Sequence, residues 1–155
     1  KETPLEYDGP IKVGDTLFVD ASLMMEQTYT KGGEQENMYL VDKEKSLFRL
    51  PEQLIIAYRQ TEWQLYGDNV LLERIEEEKK EPELKSSLII IPVSTKPKYK
   101  KGEAKLFMDI PDYDLKKGDN VLFKELSINN IRFDGKPLLY TKKRNLLAVV
   151  LKEAV

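Results

Sequence analysis

Two side chains that carry much of enzyme chemistry are missing from this chain: it has no histidine and no cysteine. Without histidine there is no ordinary general base near neutral pH, and the commonest metal ligand is gone. Without cysteine there is no thiolate nucleophile and no disulfide, which fits a reducing compartment. Catalysis would rest on carboxylates, Lys, Tyr, Ser or Thr. Glu76, Glu77 and Glu78 open the run EEEKKEPE, which is too charged to pack and reads as a solvated stretch. Asp109, Asp112 and Asp114 could offer oxygen ligands to a hard cation. Their segment, DIPDYDLK, holds Pro111, has no glycine and lacks the spacing of a calcium loop, so it reads as a polar turn. The inventory points away from an enzyme, a metal site or a cofactor and toward a protein that works by contact.

The contact chemistry concentrates in KSSLIIIPVSTKPKYKKG, residues 85–102. Four apolar residues, Leu88, Ile89, Ile90 and Ile91, sit among Lys, Ser, Thr and Pro. By length such a run reads as a buried strand. By its flanks it reads as an apolar hook on a loop, with lysines and prolines beside it as guards against aggregation. Lys96, Lys98, Tyr99, Lys100 and Lys101 form a basic patch with one aromatic. A single-stranded nucleic-acid groove needs several stacking aromatics on a basic chain. This chain has a net charge of −2, so a solvated loop is the simpler reading there.

These residues need a scaffold. The chain has 155 residues, 41% apolar and 34% charged, a globular composition for one domain or two small ones. The charge is uneven: residues 1–62 hold 7 Lys/Arg against 12 Asp/Glu, and the remainder 18 against 15. No apolar stretch approaches the ~20 residues of a membrane span, and no signal peptide is visible. The chain opens on Lys1, which suggests a processed chain or part of something longer. Short runs rich in Val, Ile, Leu, Tyr and Phe between Gly, Pro, Asp and Asn predict β-structure throughout. Strands are expected at 16–20, 38–41, 46–50, 54–59, 69–75, 87–93, 104–108, 120–124, 130–133, 138–141 and 146–151. Asp134-Gly135 predicts a two-residue hairpin. At most one helical turn is expected, near Pro51–Leu54. Met24, Met25, Phe18 and Trp63 read as core or interface apolars.

The order of elements is used twice. Ile11-Lys12-Val13-Gly14-Asp15 with Leu17-Phe18 matches Leu115-Lys116-Lys117-Gly118-Asp119 with Val121-Leu122. Val41-Asp42, Leu47-Phe48 and Leu54-Ile55-Ile56-Ala57 then match Phe133-Asp134, Leu138-Leu139 and Leu146-Leu147-Ala148. The first copy carries an insertion around Glu26–Asn37. The second is preceded by Tyr66–Met108, which has no counterpart in the first. The chain thus reads as the second half of one β unit (1–62) followed by a complete one (63–155), with a seam at Trp63–Gly67.

At this point the second unit resembles the GroES-type co-chaperonin family. Tyr66-Gly67-Asp68-Asn69-Val70-Leu71-Leu72-Glu73-Arg74-Ile75 is similar to the family's opening strand. Ile89-Ile90-Ile91 is similar to the aliphatic triplet of its loop, Gly102-Glu103 to a strand start, and Lys117-Gly118-Asp119-Asn120-Val121-Leu122-Phe123 to its Val-Gly-Asp strand. Leu146-Leu147-Ala148-Val149-Val150 resembles its closing strand. Ser86-Ser87 stands where the family usually has a glycine pair, and Pro92 follows the triplet at once. The resemblance implies an all-β protein with a GroES-like antiparallel β-barrel, preceded by a half or second barrel unit.

It also implies a function: a ring-forming cap, heptameric in the family, that binds a GroEL-type chaperonin and assists protein folding in the cytoplasm, or in the host cytoplasm if phage-encoded. The loop 76–101 would be mobile, and Leu88, Ile89, Ile90 and Ile91 would make the partner contact at about 2 kcal/mol of burial each. Ordering the loop takes much of that back, so a ring of copies is needed for tight binding. Subunit contacts would fall to the first and last strands, through Val70, Leu72, Leu147 and Val149. Two other readings stay open at this point: a structural or assembly protein, such as a phage particle component, that reuses the barrel, and a single-stranded nucleic-acid-binding barrel.

Overall fold

A computed structural model of the chain describes residues 7–78 and 97–151. The chain divides into two compact units, Lys1–Gly67 and Asp68–Val155. Among the described residues every strand pairing is antiparallel, so the all-β expectation holds.

The first unit contains β1 (Thr16–Val19), a single helical turn α1 (Ser22–Met25), and a short hairpin of β2 (Gln27–Tyr29) and β3 (Gln35–Asn37). A second hairpin follows, β4 (Leu40–Asp42) and β5 (Leu47–Phe48), then β6 (Ile55–Arg59) and β7 (Trp63–Leu65). β6 is central in the order β1-β6-β7. It buries four consecutive residues, Ile55 to Tyr58, which a strand achieves only when both its faces are covered. Ile55, Tyr58 and Tyr66 form the core, with Ile11, Leu17 and Leu50 packed against it.

The second unit is one six-stranded sheet: β8 (Asn69–Glu76), β9 (Tyr99–Leu106), β10 (Asn120–Phe123), β11 (Asn129–Phe133), β12 (Lys136–Lys142) and β13 (Leu146–Val150). Its order is β11-β12-β8-β9-β10-β13. Val70, Leu71 and Leu72 of β8 are fully buried, as are Ala104, Ile110 and Val121. Asp134 and Gly135 turn the β11–β12 hairpin with φ of 50° and 78°. Both values are positive, as a type I′ turn requires, and this is the hairpin the sequence predicts. The 109–116 connection is a tight turn: Ile110 and Leu115 form a bridge, and Asp109 accepts the Lys117 N–H at 2.7 Å.

The segments matched in sequence have similar local geometry in the two units. β1 pairs with β6 through Thr16↔Arg59, Leu17↔Tyr58 and Phe18↔Ala57, then shifts register to Val19↔Ile55. β10 pairs with β13 through Asn120↔Val150, Val121↔Val149 and Leu122↔Ala148, then shifts to Phe123↔Leu146. The bulge falls at the same step. The turn before each strand is also the same: Asp15 accepts the Lys12 N–H at 2.8 Å and Asp119 the Lys116 N–H at 2.9 Å. Gly14 and Gly118 sit at φ of 95° and 93°, a conformation glycine adopts without a Cβ penalty.

Where the elements differ from expectation, the reasons are local. β2, β3 and α1 are three or four residues long, too short to show a period. Met24 and Met25 of α1 are exposed, and the buried member of that turn is Leu23. Of the core-or-interface reading of those two methionines, the core alternative is therefore removed. Both ends of the expected 76–101 loop are strand: Glu76 belongs to β8, and Tyr99, Lys100 and Lys101 to β9. The expected strand at 87–93 lies outside the described residues.

Candidate functional site

β8 and β9 are the stems from which the segment carrying Leu88, Ile89, Ile90 and Ile91 departs; those four residues lie outside the described ones. The stems are joined by backbone as far out as the Glu77 N–H, which donates to the Lys98 carbonyl at 2.8 Å. Glu76 faces Tyr99, but the register shifts between Arg74 and Glu76. A shift leaves backbone groups of the ladder without their regular partners.

Side chains close the interval. Arg74 donates through one guanidinium nitrogen to Glu125 at 2.7 Å and through the other to the Lys100 carbonyl at 3.4 Å. The second Glu125 oxygen accepts the Gly102 N–H at 2.7 Å. Gly102 turns with φ of 70°. The Arg74 hydrogen bond first, then that of Gly102, holds the Glu125 carboxyl below its ordinary range, against partial burial. Beside this cluster lies a groove of about 380 Å³ lined by charged Glu73, Arg74 and Lys136 over apolar Ile131, Pro137 and Leu138. It opens where the β8–β12 ladder stops at Leu72↔Leu139, and Lys136 crosses it to Glu73 at 2.9 Å.

Of the basic patch, Lys98 and Lys101 are exposed. Lys100 lies 3.7 Å from Glu103, and Tyr99 is a half-exposed strand residue. Lys96 lies outside the described residues. Of the three aspartates, Asp109 is taken by the Lys117 N–H and Asp112 by the Lys143 ammonium. Among the described residues no group of three acidic side chains gathers as a metal site would require.

The structure divides the expected subunit contacts. Val70 and Leu72 have no accessible surface, and β8 is paired on both sides, by β12 and β9. Over Asn69–Leu72 the strand has no open edge, and Val70 and Leu72 offer no surface to another subunit, against the contact expected of them; Glu73–Glu76 run past the β12 ladder and are partly or fully exposed. Leu147 and Val149 are 61% and 38% exposed, on a strand that ends the sheet. Besides β2 and β3, sequence reasoning missed β7. It lies just ahead of the turn into β8 and pairs with β6 through Ala57↔Leu65, Tyr58↔Gln64 and Arg59↔Trp63. The alternation Trp63-Gln64-Leu65 was the available signal, at three residues a weak one.

Comparison with known proteins places the unit. The family model described as the chaperonin 10 kDa subunit matches residues 63–150, from the start of β7 to the end of β13. The co-chaperonin GroES of Caulobacter sp. (strain K31) is 36% identical over 92 residues, covering 54% of this chain and 92% of that protein. The co-chaperonin GroES of Ruthia magnifica subsp. Calyptogena magnifica is 33% identical over 91 residues, with 54% and 92% covered. That of Acidithiobacillus ferrooxidans (strain ATCC 53993 / BNL-5-31) is 33% identical over 93 residues, with 55% and 93% covered. With the match running over more than half its length, the chain belongs to the chaperonin 10 kDa subunit family, the GroES-type co-chaperonins.

Proposed function

We propose that the chain is a co-chaperonin that works by contact rather than by catalysis. It caps a GroEL-type chaperonin in the cytoplasm and assists folding by holding a chamber closed. The observation that carries this is the family match across the whole of β7–β13, combined with the position of Leu88–Ile91 between β8 and β9. Burying those four side chains would contribute about 2 kcal/mol each, set against the cost of ordering the segment. One copy would bind weakly, and a ring of copies, seven in the family, would bind tightly by effective concentration.

The first unit is read as the closing half of a second family barrel. Its support is the shared ladder, with its bulge at the same step, and the shared Gly-Asp turn. The same comparison supports β13 as the ring contact. Its counterpart β6 receives a further strand, β7, on the edge that β13 leaves open. β13 would receive a strand from another copy in the same manner, over Leu147 and Val149.

The test is co-sedimentation of the full chain with a GroEL-type chaperonin and nucleotide, alongside its mass in solution. Binding by a multi-copy assembly supports the reading. An assembly that never binds a chaperonin would instead fit a structural protein built on the same barrel.

A further inference from the structure

We propose that Glu125 is a positioning residue for the docking segment: one carboxylate grips both strands from which the segment departs. This rests on the co-chaperonin reading above and names a part of its machinery. Oε1 of Glu125 takes Arg74 of β8, and Oε2 takes the Gly102 N–H of β9, each at 2.7 Å. Arg74 then reaches across to the Lys100 carbonyl of β9 at 3.4 Å. Three bonds thus tie the two stems together within the register shift, where Lys100 and Gly102 lie between the pairings Arg74↔Ala104 and Glu76↔Tyr99. Beyond that shift the stems are held by Glu76↔Tyr99 and by the bond from Glu77 to Lys98. The side-chain clamp supplies, at the shift, the fixing that an unbroken ladder would give.

The internal repeat argues that the clamp is tied to the departing segment and is not a general need of this turn. Counting on from the matched Asp15 and Asp119, Ala21 falls where Glu125 stands. Its neighbour Asp20 accepts the Ser22 N–H at 2.9 Å. The described strands of the first unit include no counterpart of the β8–β9 pair. The same β-strand and bulge therefore form with an alanine where Glu125 stands. The carboxylate appears in the copy that has two stems to hold.

The physical consequence is preorganisation. Fixing the direction and spacing of the stems removes conformations that binding would otherwise have to remove. In a multi-copy assembly a small gain per copy multiplies. Glu125→Gln keeps the shape but places an amide N–H against one of the two donors, so only one arm can be satisfied.

Amide exchange and chaperonin binding are measured on the full chain, wild type against Glu125→Gln. The expected result is exchange faster by about tenfold at Gly102 and Glu77, with Ile131 in β11 unchanged. The concentration needed for half-saturation of a GroEL-type chaperonin should rise by about tenfold or more. Arg74→Lys keeps the charge but loses the fork, and is expected to fall between the two. Equal acceleration at all three amides, or none at Glu77, would make Glu125 an ordinary stability contact and overturn the proposal. Faster exchange with unchanged binding would also overturn it. If Glu125→Gln fails to fold, Arg74→Lys carries the same comparison. If the wild type does not bind a chaperonin, the co-chaperonin reading falls and the positioning role with it. If the wild type binds and Glu125→Gln binds equally well, the positioning role alone falls.

Discussion

Tyr58 and Tyr66 meet edge to face, their ring centroids 6.3 Å apart at 85°. Tyr58 lies on β6, and Tyr66 directly follows β7, so the ring pair fastens to its neighbour the strand at which the family match begins. Each hydroxyl is also anchored: Tyr58 donates to Gln64 at 2.6 Å, and Tyr66 to Glu52. Tyr66→Ala should cost about 3–5 kcal/mol, the range for emptying a buried aromatic site. The loss should appear in the unfolding transition of the first unit, followed by tyrosine fluorescence.

The same residue gives an alkaline prediction. Burial, then the hydrogen bond to Glu52, pushes the Tyr66 hydroxyl well above its ordinary value of 10.0. The folded unit keeps this proton where the unfolded chain releases it. The stabilisation is therefore complete below pH 10 and declines as pH rises past it. Tyr66→Phe should flatten the fall in melting temperature above that pH. An unchanged alkaline slope would assign it to other groups.

Glu125 gives the acid counterpart. Its folded carboxyl sits below the ordinary 4.5, chiefly through Arg74. Its contribution is thus present above about that pH and lost as pH falls through the lower folded value. Protection at Gly102 that depends on the Glu125 carboxylate should be lost as pH falls below the ordinary carboxyl value in the wild type, and show no such dependence in Glu125→Gln.

Substitutions on β8 and β13 should separate fold from assembly. Leu72→Ala empties a fully buried site and should cost about 2–5 kcal/mol in urea melts. Leu147→Asp changes a side chain that is 61% exposed and should shift stability by about 0.5 kcal/mol or less. It should nevertheless lower the assembly mass seen by light scattering. A full-size assembly in Leu147→Asp would remove β13 from the ring contact.

Much of this architecture was legible in the residues, because apolar runs, Gly-Asp turns and Asp134-Gly135 carry strand and hairpin signals whatever surrounds them. The repeat could be read before its geometry for the same reason. What could not be read was pairing. Val70 and Leu72 look like any strand's apolar positions, and only the sheet order places them inside, between β12 and β9. Glu125 looks like one more surface acid. Its reach to Arg74 spans 51 residues and leaves no periodic trace. Lys100 and Lys101 read as loop because lysines favour water, yet they belong to β9, between its pairings to β8 at Tyr99 and Ala104. The aliphatic run Leu88–Ile91 is supported by order and flanks alone.

That run is where the account is most directly tested. Wild type and Ile90→Asp are mixed with a GroEL-type chaperonin and nucleotide and sedimented together, with circular dichroism of each free chain as the control for folding. The account predicts that the wild type sediments with the chaperonin and that Ile90→Asp, equally folded, stays in the supernatant. Co-sedimentation of Ile90→Asp at the wild-type level would contradict it, and failure of Ile90→Asp to fold would contradict it by returning Leu88–Ile91 to the core.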